Sequence, residues 1–137
     1  MADTLQLELV SPERLLMSEQ VEMVTIPGTD GYFGVLPQHA PVISSLRPGV
    51  IDVYVDGVVA QQYFVGGGFA EVNAKGVTVL VDEALVLKDV TKALAELRRE
   101  AAMDLIDDAK TDAERKHAAT ALKIAEELAA LAAKAGN

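Results

Sequence analysis

The sequence predicts a β + α fold: an antiparallel β-sandwich over residues 1–87, followed by an antiparallel hairpin of two helices over residues 88–137. Two observations support this division into domains. All six aromatic residues and all five prolines precede Leu87, whereas fifteen alanines and no proline follow it. Short apolar stretches rich in β-branched residues, separated by Gly and Pro turns, fill the first part and favour a sandwich over a βαβ unit.

The composition and charge argue against several kinds of site and partner. The chain has 137 residues and no cysteine, which excludes disulfides and thiolate metal sites. No apolar run is long enough to span a bilayer and no secretory leader opens the chain, so we expect membrane association only through a partner. Residues 1–87 carry 3 Lys/Arg against 11 Asp/Glu, a net charge of −8, which would repel the phosphates of nucleic acid.

The first part contains a series of short strands. Residues 4–9 alternate polar and apolar side chains with a period of two, which is typical of a strand with one buried face. Asp56-Gly57 between β-branched residues provides the positive-φ pair of a tight hairpin turn, and Asn73 to Gly76 predicts a second hairpin. Further β stretches are predicted at residues 15–17, 21–26, 42–43, 50–55 and 77–81.

Residues 26–41 form the stretch in which proline and glycine constrain the backbone most. They contain three prolines, three glycines, the pair Tyr32-Phe33 and His39. Proline fixes φ and glycine permits positive φ, so we interpret this stretch as an irregular segment with a prescribed path. Such a segment usually presents residues to a partner or ligand, although a corner between strands would explain the glycines equally well.

The second part is predicted to be helical because alanine is the strongest helix former. Asp89 is the expected N-cap of the first helix, and Thr111 with Glu114 fits a capping box that opens the second. The break near Lys110 leaves almost no loop, which predicts two antiparallel helices of similar length. Each helix has a thin apolar stripe, so the hairpin should be easy to detach; the stripes are Val90, Leu94, Leu97, Ala101, Leu105 and Ala121, Ile124, Leu128, Leu131, Ala135.

Three groups of residues invite a chemical interpretation. The run Gly66-Gly67-Gly68 lacks the lysine and the following helix of a phosphate loop, so close strand packing is favoured. His39 has no cysteine or second nearby histidine to complete a metal site, and a Ser44/His39 triad lacks a nucleophile elbow. The basic residues of the helices have a solvated face as their default role; they are Arg98, Arg99, Arg115, Lys116 and Lys123.

Five motifs together resemble a known family. They are Val10-Ser11-Pro12-Glu13, Ile26-Pro27-Gly28-x-x-Gly31-x-Phe33-Gly34-Val35-Leu36-Pro37-x-His39-Ala40-Pro41, Leu46-Arg47-Pro48-Gly49, Val65-Gly66-Gly67-Gly68-Phe69-x-Glu71-Val72 and Val77-Thr78-Val79-Leu80-x-Asp82. In this order and spacing the chain resembles the ε subunits of bacterial rotary ATP synthases, the counterparts of the mitochondrial δ subunit. The specific motifs cover residues 3–82, and the helical part resembles the family only in kind.

The resemblance implies a flattened sandwich with a helical hairpin in the central stalk of a proton-translocating ATP synthase. It implies no catalytic residue and no metal, but a subunit that couples the γ subunit to the c-ring, peripheral to the cytoplasmic face of the bacterial inner membrane. The implied c-ring contact is the loop Gly28, Thr29, Asp30, Gly31, Tyr32 and Phe33. The implied γ contacts are His39, Ala40 and Ser44.

The resemblance also implies that the hairpin moves and inhibits ATP hydrolysis. Arg115, Lys116 and Lys123 are then the residues that approach an acidic helical segment of the β subunit. Some relatives bind ATP through a motif that here contains Asp89 and, in place of its arginine, Lys92. A single ammonium lacks the arginine fork, so weak ATP binding or none is expected, and no cofactor. The alternative from another class is a stand-alone β-sandwich enzyme or ligand-binding module that uses His39.

Overall fold

A computed structural model describes residues 3–136 of the chain. The chain divides into two compact units, Met1–Leu87 and Lys88–Asn137. The described part of the first unit contains ten strands: β1 Leu5–Val10, β2 Leu15–Val21, β3 Met23–Gly28, β4 Gly31–Val35, β5 Val42–Leu46, β6 Gly49–Val55, β7 Val58–Val65, β8 Gly68–Val72, β9 Gly76–Val81 and β10 Ala84–Val86. A 3-10 turn, Leu87–Asp89, begins at the last residue of the first unit, and the second unit contains two helices, α1 Lys92–Asp108 and α2 Asp112–Ala135.

The strands form a curled sheet with the order β10-β7-β6-β3-β5-β8-β9-β1-β2, and β4 pairs with β3 beside this path. The predicted sandwich is therefore confirmed. All the strand pairs are antiparallel except β1 with β9, which run parallel. The prediction of a purely antiparallel sheet was wrong at this pair, because a pairing between the two ends of the unit leaves no local turn signal in the sequence.

The core lies inside the sandwich unit and follows the period-two pattern. Leu5, Leu7 and Leu9 of β1 are each only 1% exposed, whereas Gln6 and Glu8 between them are half-buried. The predicted strand at residues 4–9 is confirmed. The other fully enclosed members of the core come from seven further strands: Val21, Val24, Ile26, Val35, Ile51, Val53, Val65, Ala70 and Val79.

Both predicted hairpins are confirmed. Asp56 has φ of 55° and Gly57 has φ of 76°, the positive pair that joins β6 to β7. At the second turn the side-chain oxygen Oδ1 of Asn73 accepts from the backbone N–H of Lys75 at 2.9 Å and of Gly76 at 3.2 Å. Asparagine can replace a backbone turn in this way, which explains its position between β8 and β9.

Close strand packing explains the glycine run. Gly68 has φ of 141°, and a Cβ there would collide with the backbone of Leu80 on the neighbouring strand β9. The predicted role of the run is confirmed, because only a glycine fits this approach.

The interpretation of residues 26–41 as irregular was wrong for most of the stretch. Strands β3 and β4 run through it and pair from Val24 with Val35 to Gly28 with Gly31. Pro27 is tolerated inside β3 because no partner in the ladder depends on its missing N–H. Only the segment after Val35 is irregular.

The predicted start is correct for α2 and wrong for α1. Thr111 and Glu114 form the predicted capping box of α2. The N-cap of α1 is Thr91, whose side chain accepts from the N–H of Leu94 at 3.2 Å. Asp89 was therefore wrongly predicted as the cap, since it lies in the preceding 3-10 turn. The helices also differ in length, with 17 residues in α1 and 24 in α2.

Alanines dominate the buried positions of the helical unit. On both helices they recur every seven residues, a spacing typical of a helix–helix seam; they are Ala95, Ala102, Ala118, Ala125 and Ala132. Leu128 is buried as predicted, but Leu97 is 64% exposed and Leu105 40%. The predicted stripe of the first helix holds at Val90, which is buried, and in part at Leu94, which is half-buried, but it was wrong at Leu97, Ala101 and Leu105. An alanine-rich helix offers two neighbouring apolar faces, and hydrophobicity alone does not choose between them. Within residues 3–136, neither helix is long and apolar enough to cross a bilayer.

Acidification is expected to destabilise the start of α2. Hydrogen bonds from the backbone N–H of Lys110, then from Thr111, lower the pKa of Glu114 below its ordinary value of 4.5. A lowered folded-state pKa contributes stability that is fully present above the unfolded value of 4.5 and is lost as the pH falls through the folded value. Thermal melts of helical circular dichroism at decreasing pH should therefore show a falling melting temperature.

The variant Glu114→Gln keeps an acceptor oxygen but does not titrate, so part of this pH dependence should disappear. Glu126→Gln makes the same charge change at another exposed position of α2 and serves as the control. Equal flattening in both variants would contradict the role of the capping box.

Candidate functional site

The hairpin of β3 and β4 ends in a two-residue turn, Thr29-Asp30, between the paired residues Gly28 and Gly31. Gly31 has φ of 134°, which favours glycine. A Cβ on Gly28 would lie 2.8 Å from the carbonyl oxygen of Gly31 and 3.0 Å from the ring of Phe33. The turn is therefore tight, and it places Thr29 and Asp30 at its tip.

The pair Tyr32-Phe33 is divided between two environments. Tyr32 is 51% exposed, whereas Phe33 is half-buried and packs against the core of the sandwich. Adjacent residues of a strand face opposite sides of the sheet, so only one of them can point outward. Of the two aromatic residues in the predicted loop, only Tyr32 presents its ring to solvent.

Tyr32 is held by residues near the start of β6. Its hydroxyl oxygen accepts from the backbone N–H of Val50 at 3.0 Å. The guanidinium carbon of Arg47 lies 5.1 Å from the centre of the Tyr32 ring, within the range of a cation–π interaction. Arg47 also donates from Nε to the carbonyl oxygen of Gly28 at 3.3 Å. Sequence analysis missed this role of Arg47, because nothing in a sequence pairs residues 32 and 47.

The residues of the implied γ contact do not share one surface. His39 and Ala40 lie in the loop between β4 and β5, whereas Ser44 lies on the side of β5 that faces the core, opposite the buried Ala70. The Nδ1 atom of His39 is 2.7 Å from the carbonyl oxygen of Ala40, and the hydroxyl of Ser44 donates to the carbonyl of Ser45 at 3.1 Å. Both side chains bond to a neighbouring carbonyl rather than to each other.

The outward side of the sheet carries a row of apolar side chains across five neighbouring strands, of which four are exposed and the fifth, Val10, is half-buried. Phe69 of β8 is 56% exposed and pairs with Leu80 of β9, which is 49% exposed. Leu80 pairs with Val10 of β1, and Val10 with Leu15 of β2. Ile43 of β5, 74% exposed, lies diagonally beside Phe69. We call these five residues the apolar row; sequence analysis missed it because each strand contributes only one member.

Exposed apolar residues grouped in this way mark a surface for another protein. Single exposed apolar side chains are ordinary, but neighbours on adjacent strands form a continuous patch. The row also has polar neighbours, since Ser45 pairs with Phe69 and Glu71 pairs with Ile43. A partner with an apolar face is therefore the kind of ligand that fits it.

The basic residues of α2 differ in how they are held. Arg115 donates from Nη1 to Asp112 at 2.9 Å and from Nη2 to the carbonyl of Lys110 at 3.3 Å, so it is tied to the first turn of the helix. Lys116 and Lys123 are exposed and seven residues apart, which places them on one face. Asp89 and Lys92 are exposed near the start of α1.

A pocket of about 330 Å³ lies at the turn between the helices. Its lining is mainly apolar, and it consists of Leu105, Asp108, Ala109, Ala113, Glu114 and His117. Across residues 3–136, no group of three or more His, Asp or Glu side chains could hold a metal ion.

Comparison with known proteins gives consistent matches. The family model for the β-sandwich domain of the ATP synthase delta/epsilon chain matches residues 4–86. The ATP synthase epsilon chain of Rhodospirillum rubrum is 52% identical over 136 residues, which is 99% of this chain and 100% of that protein. The epsilon chain of Paramagnetospirillum magneticum is 48% identical over 133 residues, 97% of this chain and 100% of that one.

Solved structures agree with the sequence matches. A chain in the mitochondrial ATP synthase of Euglena gracilis, a structure of OSCP, F1 and the c-ring, is 29% identical with a TM-score of 0.75, covering 93% of this chain and 80% of that one. A chain in the central stalk and c-ring structure of the Tetrahymena thermophila enzyme has a TM-score of 0.68 at 17% identity over 98% of both chains, and this likeness concerns the fold alone.

Proposed function

The chain belongs to the family of ATP synthase epsilon chains, and from this premise we propose that it is a non-catalytic subunit of the central stalk. In this proposal the sandwich fastens the γ subunit to the c-ring, and the helical hairpin inhibits ATP hydrolysis. The observation that carries the proposal is the apolar row, which suits a permanent protein partner.

The γ subunit is the proposed partner of the apolar row. Large aromatic and aliphatic side chains dominate the energetics of protein interfaces. Phe69 lies between Ile43 and Leu80 and is the aromatic member of the row, so it is the proposed anchor. His39 and Ala40 precede β5 in the chain and extend the contact along the loop. Ser44 faces the core side, so we propose that it supports β5 rather than contacting γ.

The c-ring is the proposed partner of the β3–β4 hairpin. Thr29 and Asp30 form its tip, and Tyr32 presents an exposed ring beside it. Gly28, Gly31 and Phe33 shape the turn and fix it to the core. The strand ladder, the packing of Phe33 and the hydrogen bond of Tyr32 all hold the hairpin. The subunit can therefore transmit torque without local deformation of the hairpin. This role places the chain peripherally on the cytoplasmic face of the inner membrane, next to the proton-carrying ring.

Inhibition is assigned to the helical unit. An alanine side chain buries little apolar area. Because burial contributes about 0.8 kcal/mol per methylene-sized group, the alanine seam adds little free energy to the contact between the helices. The two helices are therefore easily separated, as a movable inhibitor requires. Lys116 and Lys123, exposed on one face of α2, are the proposed contacts with acidic residues of the β subunit. Arg115 joins them if its bond to Asp112 opens. At the other end, the single ammonium of Lys92 near Asp89 would hold ATP weakly.

Replacing Phe69 by Ala should weaken binding to the γ subunit about 5- to 30-fold, the range of an interface anchor worth roughly 1–2 kcal/mol. Because Phe69 is 56% exposed, the melting temperature of the free chain should change little. Val58→Ala removes an apolar side chain that is 61% exposed but lies on β7, outside the row, and serves as the control. Surface plasmon resonance with immobilised γ measures both variants. Equal losses for Phe69→Ala and Val58→Ala would refute the apolar row as the γ surface.

Replacing Lys116 and Lys123 together by Ala should raise the ATP hydrolysis rate of the assembled complex, because the proposed contacts with the β subunit are lost. Removal of residues 88–137 should raise it at least as much. Lys134→Ala changes a lysine in the last turn of α2 and should leave the rate unchanged. The measurement is steady-state ATP hydrolysis by membranes that contain the complex. An unchanged rate after removal of the helices would rule out inhibition by this unit.

A further inference from the structure

Arg47 is one of only three basic residues in the strongly acidic part formed by residues 1–87. It lies between β5 and β6, is exposed, and turns towards the tip of the β3–β4 hairpin. An arginine that only increased solubility would not be expected to contact the hairpin. Arg47 contacts it through its backbone N–H, its Nε atom and the plane of its guanidinium.

The first contacts tie the hairpin to the backbone of the β5–β6 connection. The N–H of Arg47 donates to the carbonyl of Pro27 at 3.0 Å, and the N–H of Thr29 donates to the carbonyl of Ser45 at 3.0 Å. The Nε of Arg47 adds a charge-assisted bond to the carbonyl of Gly28. The last residues of β3 and the first residue of the tip are thus bound on one side.

The remaining contacts fix Tyr32 on the same side. Its ring lies under the guanidinium of Arg47, and its hydroxyl accepts from Val50. The fit is close, because a Cβ on Gly49 would lie 2.7 Å from the Tyr32 hydroxyl and 2.7 Å from Cβ of Pro27. An exposed tyrosine normally samples several rotamers, and holding it in one before binding reduces the entropy lost on binding.

We propose that Arg47 is a positioning residue, which holds Tyr32 and the hairpin tip in the conformation that binds the c-ring. This rests on the proposed function, since it assigns a role to the hairpin that we propose to contact the ring. We call the contacts of Arg47, Tyr32, Gly49 and Val50 the tyrosine clamp. The clamp acts in the free chain, and it affects the ring only through the geometry of the tip.

The first measurement is amide hydrogen exchange on the full-length free chain, which needs no partner. Arg47→Ala should accelerate exchange at Thr29 and Val50 about fivefold, the effect of losing roughly 1 kcal/mol of cation–π interaction. Arg47→Lys keeps the charge but loses the planar stack, so its exchange should be intermediate. Arg14→Ala removes the only other arginine of residues 1–87 and should leave both amides unchanged.

The second measurement is the affinity of each full-length variant for a purified assembly of γ and the c-ring. Arg47→Ala should weaken this affinity about fivefold. Arg47→Lys should weaken it less, and Arg14→Ala should leave it unchanged. Gly49→Ala, whose added Cβ would press on both the Tyr32 hydroxyl and Cβ of Pro27, should weaken it as well. Because a structural defect would also lower the affinity, the melting temperature of each variant must stay close to that of the unchanged chain.

Three outcomes decide the matter. Unchanged exchange in Arg47→Ala overturns the clamp. Faster exchange without a loss of affinity also overturns it; if Asp30→Ala at the tip still weakens binding, the proposed ring contact stands. If neither clamp nor tip variants weaken binding, the ring contact itself is wrong and the inference falls with it.

Discussion

The parallel pairing of β1 with β9 is the constraint on which the sandwich depends. It joins the first strand of the unit to one near its end, so that the β1–β2 hairpin becomes part of the sheet. The pairing places Leu7 beside Val77 and Leu9 beside Val79, which brings apolar side chains into the same core. Gly76 makes it possible, because a Cβ at that position would collide with the backbone of Gln6. A parallel pair of this kind has to be stabilised by burial, since no short turn brings its strands together.

The same pairing creates the proposed γ surface. Alternation sends Leu7 and Leu9 inward, so Val10 and Leu80 at the end of the register face outward together. The irregularity between Leu9 and Val10 then brings Leu15 beside Val10. The apolar row therefore follows from the register that builds the core. The register of β1 with β9 therefore decides both the stability of the core and the exposure of the apolar row, because a slip of one residue would bury the row and expose the core.

The two units differ in how firmly they are built, and the proposed mechanism uses this difference. The β3–β4 hairpin is fixed by ladder hydrogen bonds, by Phe33 in the core and by the contacts of Tyr32. The helices meet instead along alanines, which permit close approach but bury little area. A rigid connection to a rotating ring and a movable inhibitor require these opposite properties. The exposed leucines of α1 remain available for another arrangement of the helices.

The sequence by itself determined the features that depend on neighbouring residues. The β6–β7 turn follows from Asp56-Gly57, the start of α2 from Thr111 and Glu114, and the buried face of β1 from its period of two, because each is decided within a few residues. Only the tertiary structure decided the apolar row, the contact of Arg47 with Tyr32 and the alanine seam. These depend on pairings between distant segments, or on a choice between equally apolar faces, and local chemistry does not encode which distant strand or face will be the partner.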